Sequence, residues 1–138
     1  MSWTLGMIKP DAVGSGNAGK VLQHLEAAGF TVRALKMLRL TRAQAQAFYE
    51  VHRERPFYGA LVEFMTSGPA VPMVLEADDA VSRLRGVIGA TDPAEADDGT
   101  VRKLFAESKE RNAIHASDSD ENAAREIGFF FSESELVG

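Results

Sequence analysis

Apolar and polar positions change period along the chain, and each change marks an element. Trp3 to Lys9 is a short apolar run stopped by Pro10, the pattern of a buried strand. Ala18 to Ala28 carries Val21, Leu22 and Leu25 at helical spacing, with Gly29 placed as its C-terminal cap. Thr31 to Leu40 is rich in Val, Leu and Met but holds Arg33, Lys36 and Arg39, which predicts a strand exposed on one side. Thr41-Arg-Ala-Gln44 has capping-box spacing and predicts a helix running to Arg53, with Pro56 breaking it. Phe57, Leu61 and Phe64 then fall on one face of a second short helix, closed by Ser67-Gly68-Pro69.

Ala70 to Glu76 predicts a strand with Pro72 near its start, because proline cannot donate a ladder hydrogen bond. Asp78 or Asp79 is placed to cap a helix with Val81, Leu84 and Ile88 on one face. Gly89 to Asn112 has weak periodicity and predicts a long loop with a helical turn near Arg102 to Ala106. A loop of that length inside a compact domain is usually functional. Ala113 to Ala116 predicts a brief strand, and Asp120 to Phe130 a final helix. The order β-α-β-α-β-α-β-α predicts an α+β domain: an antiparallel sheet with helices packed on one side, rather than a doubly wound sheet.

Composition narrows the class. With 138 residues, the expectation is one domain spanning 1–138. Fifteen Lys+Arg against 20 Asp+Glu give a charge of −5, which excludes a generally basic nucleic-acid coat while leaving room for a local basic pocket. The absence of cysteine removes disulfides, thiolate metal sites and Cys nucleophiles. His24, His52 and His115 are too far apart in sequence to suggest a His-rich zinc site. No apolar run reaches membrane-spanning length, and the N-terminus lacks the basic-then-apolar order of a leader, so the expectation is a soluble cytoplasmic protein with no membrane partner.

Two glycine patterns are set aside. Gly14-Ser-Gly16-Asn-Ala-Gly19 matches the dinucleotide pattern G-x-G-x-x-G. Pro10 to Val13 separate it from the strand, however, and no acidic residue between Glu26 and Glu50 could hold a ribose hydroxyl. Gly19-Lys20-Val21 approaches a phosphate loop, but Val21 stands where a hydroxyl must ligate Mg2+. Both read as a flexible turn before a helix.

The residues that carry chemistry are scattered. The strings Ile8-Lys9-Pro10-Asp11, Arg55-Pro56-Phe57, Ser67-Gly68-Pro69, Gly89-Ala-Thr91, Gly99-Thr100-Val-Arg102 and Asn112-Ala-Ile-His115-Ala-Ser-Asp-Ser119 occur in this order. Together they resemble nucleoside diphosphate kinases from Trp3 to Phe131. The resemblance implies a ferredoxin-like α/β sandwich with a four-stranded antiparallel sheet covered by helices. It also implies a ping-pong reaction: a nucleoside triphosphate, mainly ATP, gives its γ-phosphate to His115, and a nucleoside diphosphate collects it. Neutral imidazole is nucleophilic near neutral pH, and an N-linked phosphate stays reactive enough to pass on.

The same resemblance gives Glu126 the task of orienting the histidine by accepting from its other ring nitrogen. Lys9, Arg85 and Arg102 match basic phosphate ligands, with Thr91 as a hydroxyl donor and Arg55 as a further phosphate contact. Tyr49 matches a tyrosine near the nucleophile and Lys9, and Asn112 an amide that contacts a sugar hydroxyl. Phe57 matches the aromatic that stacks on the base, with Leu61 packed beside it. Mg2+ is expected to arrive on the nucleotide phosphates, with no metal ligand from the protein. The implied assembly is a homo-oligomer, a tetramer or hexamer built from dimers, with no obligate nucleic-acid partner. The chain departs from the family pattern at Ala116, where glycine is usual, at Asp92, where asparagine is usual, and at Lys103-Leu104 in place of Gly-Asp. The rival readings are a non-catalytic nucleotide-binding module on the same fold, and a nucleic-acid-binding domain using the sheet.

Overall fold

A computed structural model describes residues 1–138. The strands are β1 (Ser2–Ile8), β2 (Thr31–Leu35), β3 (Val71–Ala77) and β4 (Ile114–Ala116), in the order β2-β3-β1-β4, with every pairing antiparallel. That order is the ferredoxin-like one. The helices are α1 (Pro10–Gly14), α2 (Ala18–Ala27), α3 (Arg42–Phe48), α4 (Tyr58–Met65), α5 (Ala80–Ile88), α6 (Val101–Phe105) and α7 (Asp120–Phe130). None is long and apolar enough to cross a membrane.

The helices cover both faces of the sheet, not one as the element order had suggested. Ile8, Met73 and Leu75 pack with Val21 and Leu25 of α2 and Leu84 and Ile88 of α5. Leu5, Met7 and Val74 point the other way, against Phe48 of α3, Val62 and Met65 of α4, and Phe130 of α7. The cause lies in the central strands. Residues Val71 to Leu75 of β3 are all buried, with no polar alternation, so neither face can be left to water.

Several boundaries differ from the sequence expectation. Pro10–Gly14 is a helix, so of the glycine stretch expected to be a flexible turn Gly14 is already helical; Pro10 stands at the helix start, where a missing N–H costs nothing. It hands over to α2 through Ser15–Asn17, with Gly16 at φ +76°. The helix opened by the Thr41–Gln44 capping box ends at Phe48 and tightens into a 3-10 turn over Glu50–His52. Its last carbonyls are taken by Arg125 of α7, which donates to Ala47 O at 2.9 Å and Phe48 O at 3.5 Å. β2 stops at Leu35 after a bulge between Val32 and Ala34, and only Leu38 makes a further bridge, to Ala70. Asp79 precedes α5 but makes no side-chain cap; Ala80 N–H donates instead to Ser2 Oγ at 2.9 Å. Pro72 sits second in β3, and its carbonyl accepts from Lys36 N–H at 3.2 Å.

Candidate active site

The site grows from the ends of β1 and β4. Antiparallel pairing sets Met7 opposite His115, so Lys9, just past β1, lies against the approach to β4. Lys9 is buried and donates through Nζ to Asn112 Oδ1 at 2.8 Å. Asn112 in turn donates through Nδ2 to Thr91 O at 3.3 Å. Burial, and then the neighbouring Arg102 charge, pull the Lys9 ammonium down to about 8, against an opposing pull from Asp11.

Arg102 comes from α6, whose N-terminus is capped by Thr100. Its Nη1 donates to Gly89 O at 3.1 Å and its Nη2 to Ile114 O at 2.8 Å, tying the long loop to β4. Burial and the Arg85 charge lower it to about 10. Arg85, on α5, donates to Ala116 O at 3.3 Å. Gly89 is at φ +89°, and a Cβ there would lie 2.6 Å from Thr100 Oγ1, so glycine is what lets the loop pack so closely.

The His115 ring stands on β4, with Nε2 2.8 Å from Glu126 Oε1. The same oxygen accepts from Ser117 Oγ at 2.7 Å. Burial pushes the Glu126 carboxyl up, but the hydrogen bonds from His115 and Ser117 and the His115 charge outweigh it and hold the group below its ordinary value. The other ring nitrogen of His115, Nδ1, has no partner in the chain. Phe48 and Tyr49 pack edge-on against the ring, with centroids 5.1 and 5.9 Å away. The Tyr49 hydroxyl is buried without a partner, and burial followed by the Glu126 charge raises it, so it keeps its proton.

These groups share one cleft of about 940 Å³. Lys9, Tyr49, Phe57, Leu61, Arg85 and Thr91 line it, as do Arg102, Asn112, His115 and Glu126. Arg55 does not; its guanidinium lies 6.0 Å from the Phe57 ring, outside the cleft wall. Phe57 is 46% exposed and is no part of the core. His52 lies between Tyr49 and Phe57, at 6.4 and 5.3 Å. Sequence reasoning missed Ser117 as a support for Glu126, although it lies in the histidine string. It also missed Phe48 and Arg125, which only the fold brings to the site. Asp118 lines the cleft too, its carboxyl lowered chiefly by a hydrogen bond from Asn122.

A family model for nucleoside diphosphate kinase matches residues 2–136. The chain belongs to the nucleoside diphosphate kinase family. It is 60% identical over 137 residues to a nucleoside diphosphate kinase of Chlorobium limicola, covering 99% of this chain and 98% of that one. The Aquifex aeolicus nucleoside diphosphate kinase structure superposes with a TM-score of 0.97 at 50% identity, covering 99% of each chain. A Halobacterium salinarum nucleoside diphosphate kinase in complex with CDP gives a TM-score of 0.94 at 37% identity, covering 99% of this chain and 91% of that one.

As a nucleoside diphosphate kinase, the chain is a phosphotransferase that moves a γ-phosphate from a nucleoside triphosphate to a nucleoside diphosphate through a phosphohistidine. It acts on nucleoside phosphates, and the family's reaction uses a divalent metal. The departures from the family pattern sit comfortably in the fold. Ala116 lies in β4 without a positive φ, so its methyl brings no backbone strain. Asp92 Oδ1 accepts from Ala94 N–H at 2.9 Å, a turn that asparagine closes equally well. Lys103 and Leu104 are exposed on α6.

Proposed function

We propose that His115 carries the phosphate and that its Nδ1 is the attacking atom. The observation behind this reading is the 2.8 Å contact between Nε2 and Glu126, which leaves Nδ1 as the ring nitrogen open to the cleft. Nδ1 attacks the γ-phosphorus, the bond from phosphorus to the bridging oxygen breaks, and the diphosphate leaves with that electron pair. Nε2 keeps its proton, shared with Glu126, whose charge stabilises the phosphorylated ring. In the second half an oxygen of the acceptor's terminal phosphate attacks phosphorus, and the N–P bond breaks.

Phosphoryl transfer is governed by positioning and charge compensation. Lys9, Arg85 and Arg102 supply positive charge to the phosphates, and Thr91 a hydroxyl donor. Arg55 reaches the phosphates only by swinging in from the rim beside Phe57. Tyr49 packs the histidine and, keeping its proton, offers a donor. Asn112 meets the sugar hydroxyl, and Phe57, with Leu61 behind it, stacks on the base.

The metal is Mg2+ in this reading, and the chain gathers no group of three or more acidic or histidine side chains to cage it. The cationic lining suits a metal already bound by phosphate and water oxygens, which supplies further charge neutralisation when present. ATP is the main donor. Residues 1–138 act as one catalytic domain, working in the cytoplasm, where the nucleotide pool lies. Copies assemble as a tetramer or hexamer built from dimers, a reading supported by Leu35 at 46% and Met37 at 60% exposure on and just after the edge strand β2.

The test is a half-reaction. The protein is incubated with γ-labelled ATP and Mg2+ but no acceptor, then chased with GDP. Acid-labile label on the protein that leaves with GDP supports the reading. His115→Ala should take no label yet bind nucleotide within about tenfold of wild type. Turnover by that variant near the wild-type rate would overturn the assignment.

A further inference from the structure

Asp11 is used by none of the roles above, yet it is 4% exposed beside the site. It is the second residue of α1. Its Oδ2 accepts from Ala113 N–H at 3.0 Å, and its Oδ1 is buried without a partner. Ala113 is fully buried and sits at φ +74°, in the left-handed region that a residue with a Cβ seldom adopts. The carbonyl of the same residue accepts from Lys9 N–H at 2.8 Å. The Lys9–Asp11 segment therefore grips the Ala113 peptide units on both sides, through a main-chain donor and a side-chain acceptor.

The position matters because of what flanks it. Asn112, immediately before, meets the Lys9 ammonium at 2.8 Å. Ile114 and His115, immediately after, enter β4. A change in the Ala113 backbone would swing the amide and the imidazole relative to each other. Asp11 and Lys9 lie two residues apart and both close on Ala113, which keeps the carboxylate near the ammonium. Arg102, on α6, opposes the Lys9 charge and Asp11 favours it, while Tyr49, Arg85, His115 and Glu126 line the same cleft from other elements.

We propose that Asp11 is a positioning residue with two linked tasks: its carboxylate holds Ala113 in the left-handed turn that sets Asn112 and His115 on either side of it, and its charge keeps the Lys9 ammonium available to nucleotide phosphate. This rests on the reading of His115 and Lys9 given above.

Three variants separate the two tasks, measured as kcat and as kcat/KM against pH, with the fold checked by circular dichroism. Asp11→Asn keeps an oxygen for Ala113 N–H and removes the charge. It should hold kcat within about threefold at neutral pH while the alkaline limb of kcat/KM moves to lower pH by about half a unit or more. Asp11→Ala removes both functions and should lower kcat by about tenfold or more. Adding Ala113→Gly to Asp11→Ala should recover most of that kcat, since glycine takes a positive φ freely, and should leave the alkaline limb displaced. A purely structural aspartate would not move the limb in the folded Asp11→Asn variant. An unshifted limb in Asp11→Asn overturns the proposal, and so does failure of Ala113→Gly to rescue a folded Asp11→Ala. If Asp11→Ala does not fold, the Asp11→Asn profile decides alone. Label on His115 in the wild-type protein, measured alongside, keeps the two readings distinct: its absence sinks the site assignment, its presence with unmoved variants sinks only this inference.

Discussion

The Nε2 atom of His115 and the Oε1 atom of Glu126 lie 2.8 Å apart, and Ser117 Oγ reaches the same oxygen at 2.7 Å. The imidazole is thus held through Nε2 in one orientation, leaving Nδ1, the atom we propose attacks phosphorus, on the other side of the ring. Glu126→Gln keeps the shape and removes the charge that, as proposed above, stabilises the phosphorylated ring. The expected outcome is a loss of about 10–100-fold in kcat with KM changed by less than about threefold, read from steady-state kinetics. The same variant tests the acid side. The Glu126 carboxyl is held below its ordinary value in the folded protein. Its contribution to stability is therefore full above the ordinary carboxylate range and is lost as pH falls through the lowered value. Melting temperatures of wild type and variant should converge on acidification; a gap that widens in acid would contradict this.

Lys9 gives a prediction on the alkaline side. Its ammonium is lowered to about 8 by burial first and Arg102 second. Raising pH through about 8 discharges it, while Arg102, at about 10, stays charged longer. KM for nucleotide should rise over that interval, and Lys9→Gln should show a high KM with no such rise. A flat wild-type KM from neutral pH to well above 8 would contradict the placement of Lys9 on the phosphates.

Much of this arrangement was legible in the sequence because its cues are local. The Thr41–Gln44 capping box, the Asp120–Phe130 helix and the apolar run of β1 all depend on neighbours in the chain, and all formed where expected. The second helical layer was not legible from element order. The near-continuous apolar run of β3 carried that information, since it leaves no face for water. The end of α3 at Phe48 could not be read locally at all, because Arg125, 77 residues later, receives its carbonyls. Of the candidate site residues, all but Arg55 line one cleft, and Arg55 lies at its rim beside Phe57. Neither the strained backbone of Ala113 nor its tie to Asp11 has a sequence mark, since alanine is not the residue that a positive φ favours.

Phe57 lies at the mouth of the cleft, 46% exposed, with its ring 5.3 Å from His52. An aromatic face stacks on any base, so Phe57→Ala should weaken purine and pyrimidine nucleotides alike, by about 1–3 kcal/mol in binding titrations. Loss confined to one class of base would contradict the stacking role.

Gly89 is where the long loop meets α6. At φ +89° and with Thr100 Oγ1 2.6 Å from a would-be Cβ, Gly89→Ala is strained both in its backbone and in its contacts. It should cost roughly 2 kcal/mol of stability by denaturant titration. It should also weaken nucleotide binding, because Arg102 holds the Gly89 carbonyl at 3.1 Å. Wild-type stability would show that the loop relaxes freely there.

The most direct measurement of the central claim is the position of the phosphate on the trapped intermediate. The protein, phosphorylated by ATP without acceptor and kept alkaline to protect the N–P bond, can be digested and the phosphopeptide identified by mass spectrometry, with the ring isomer assigned by phosphorus and proton NMR. The account predicts one phosphate on His115, bonded to Nδ1, because Nε2 is held by Glu126. Phosphate on Nε2, or on any residue other than His115, would contradict it.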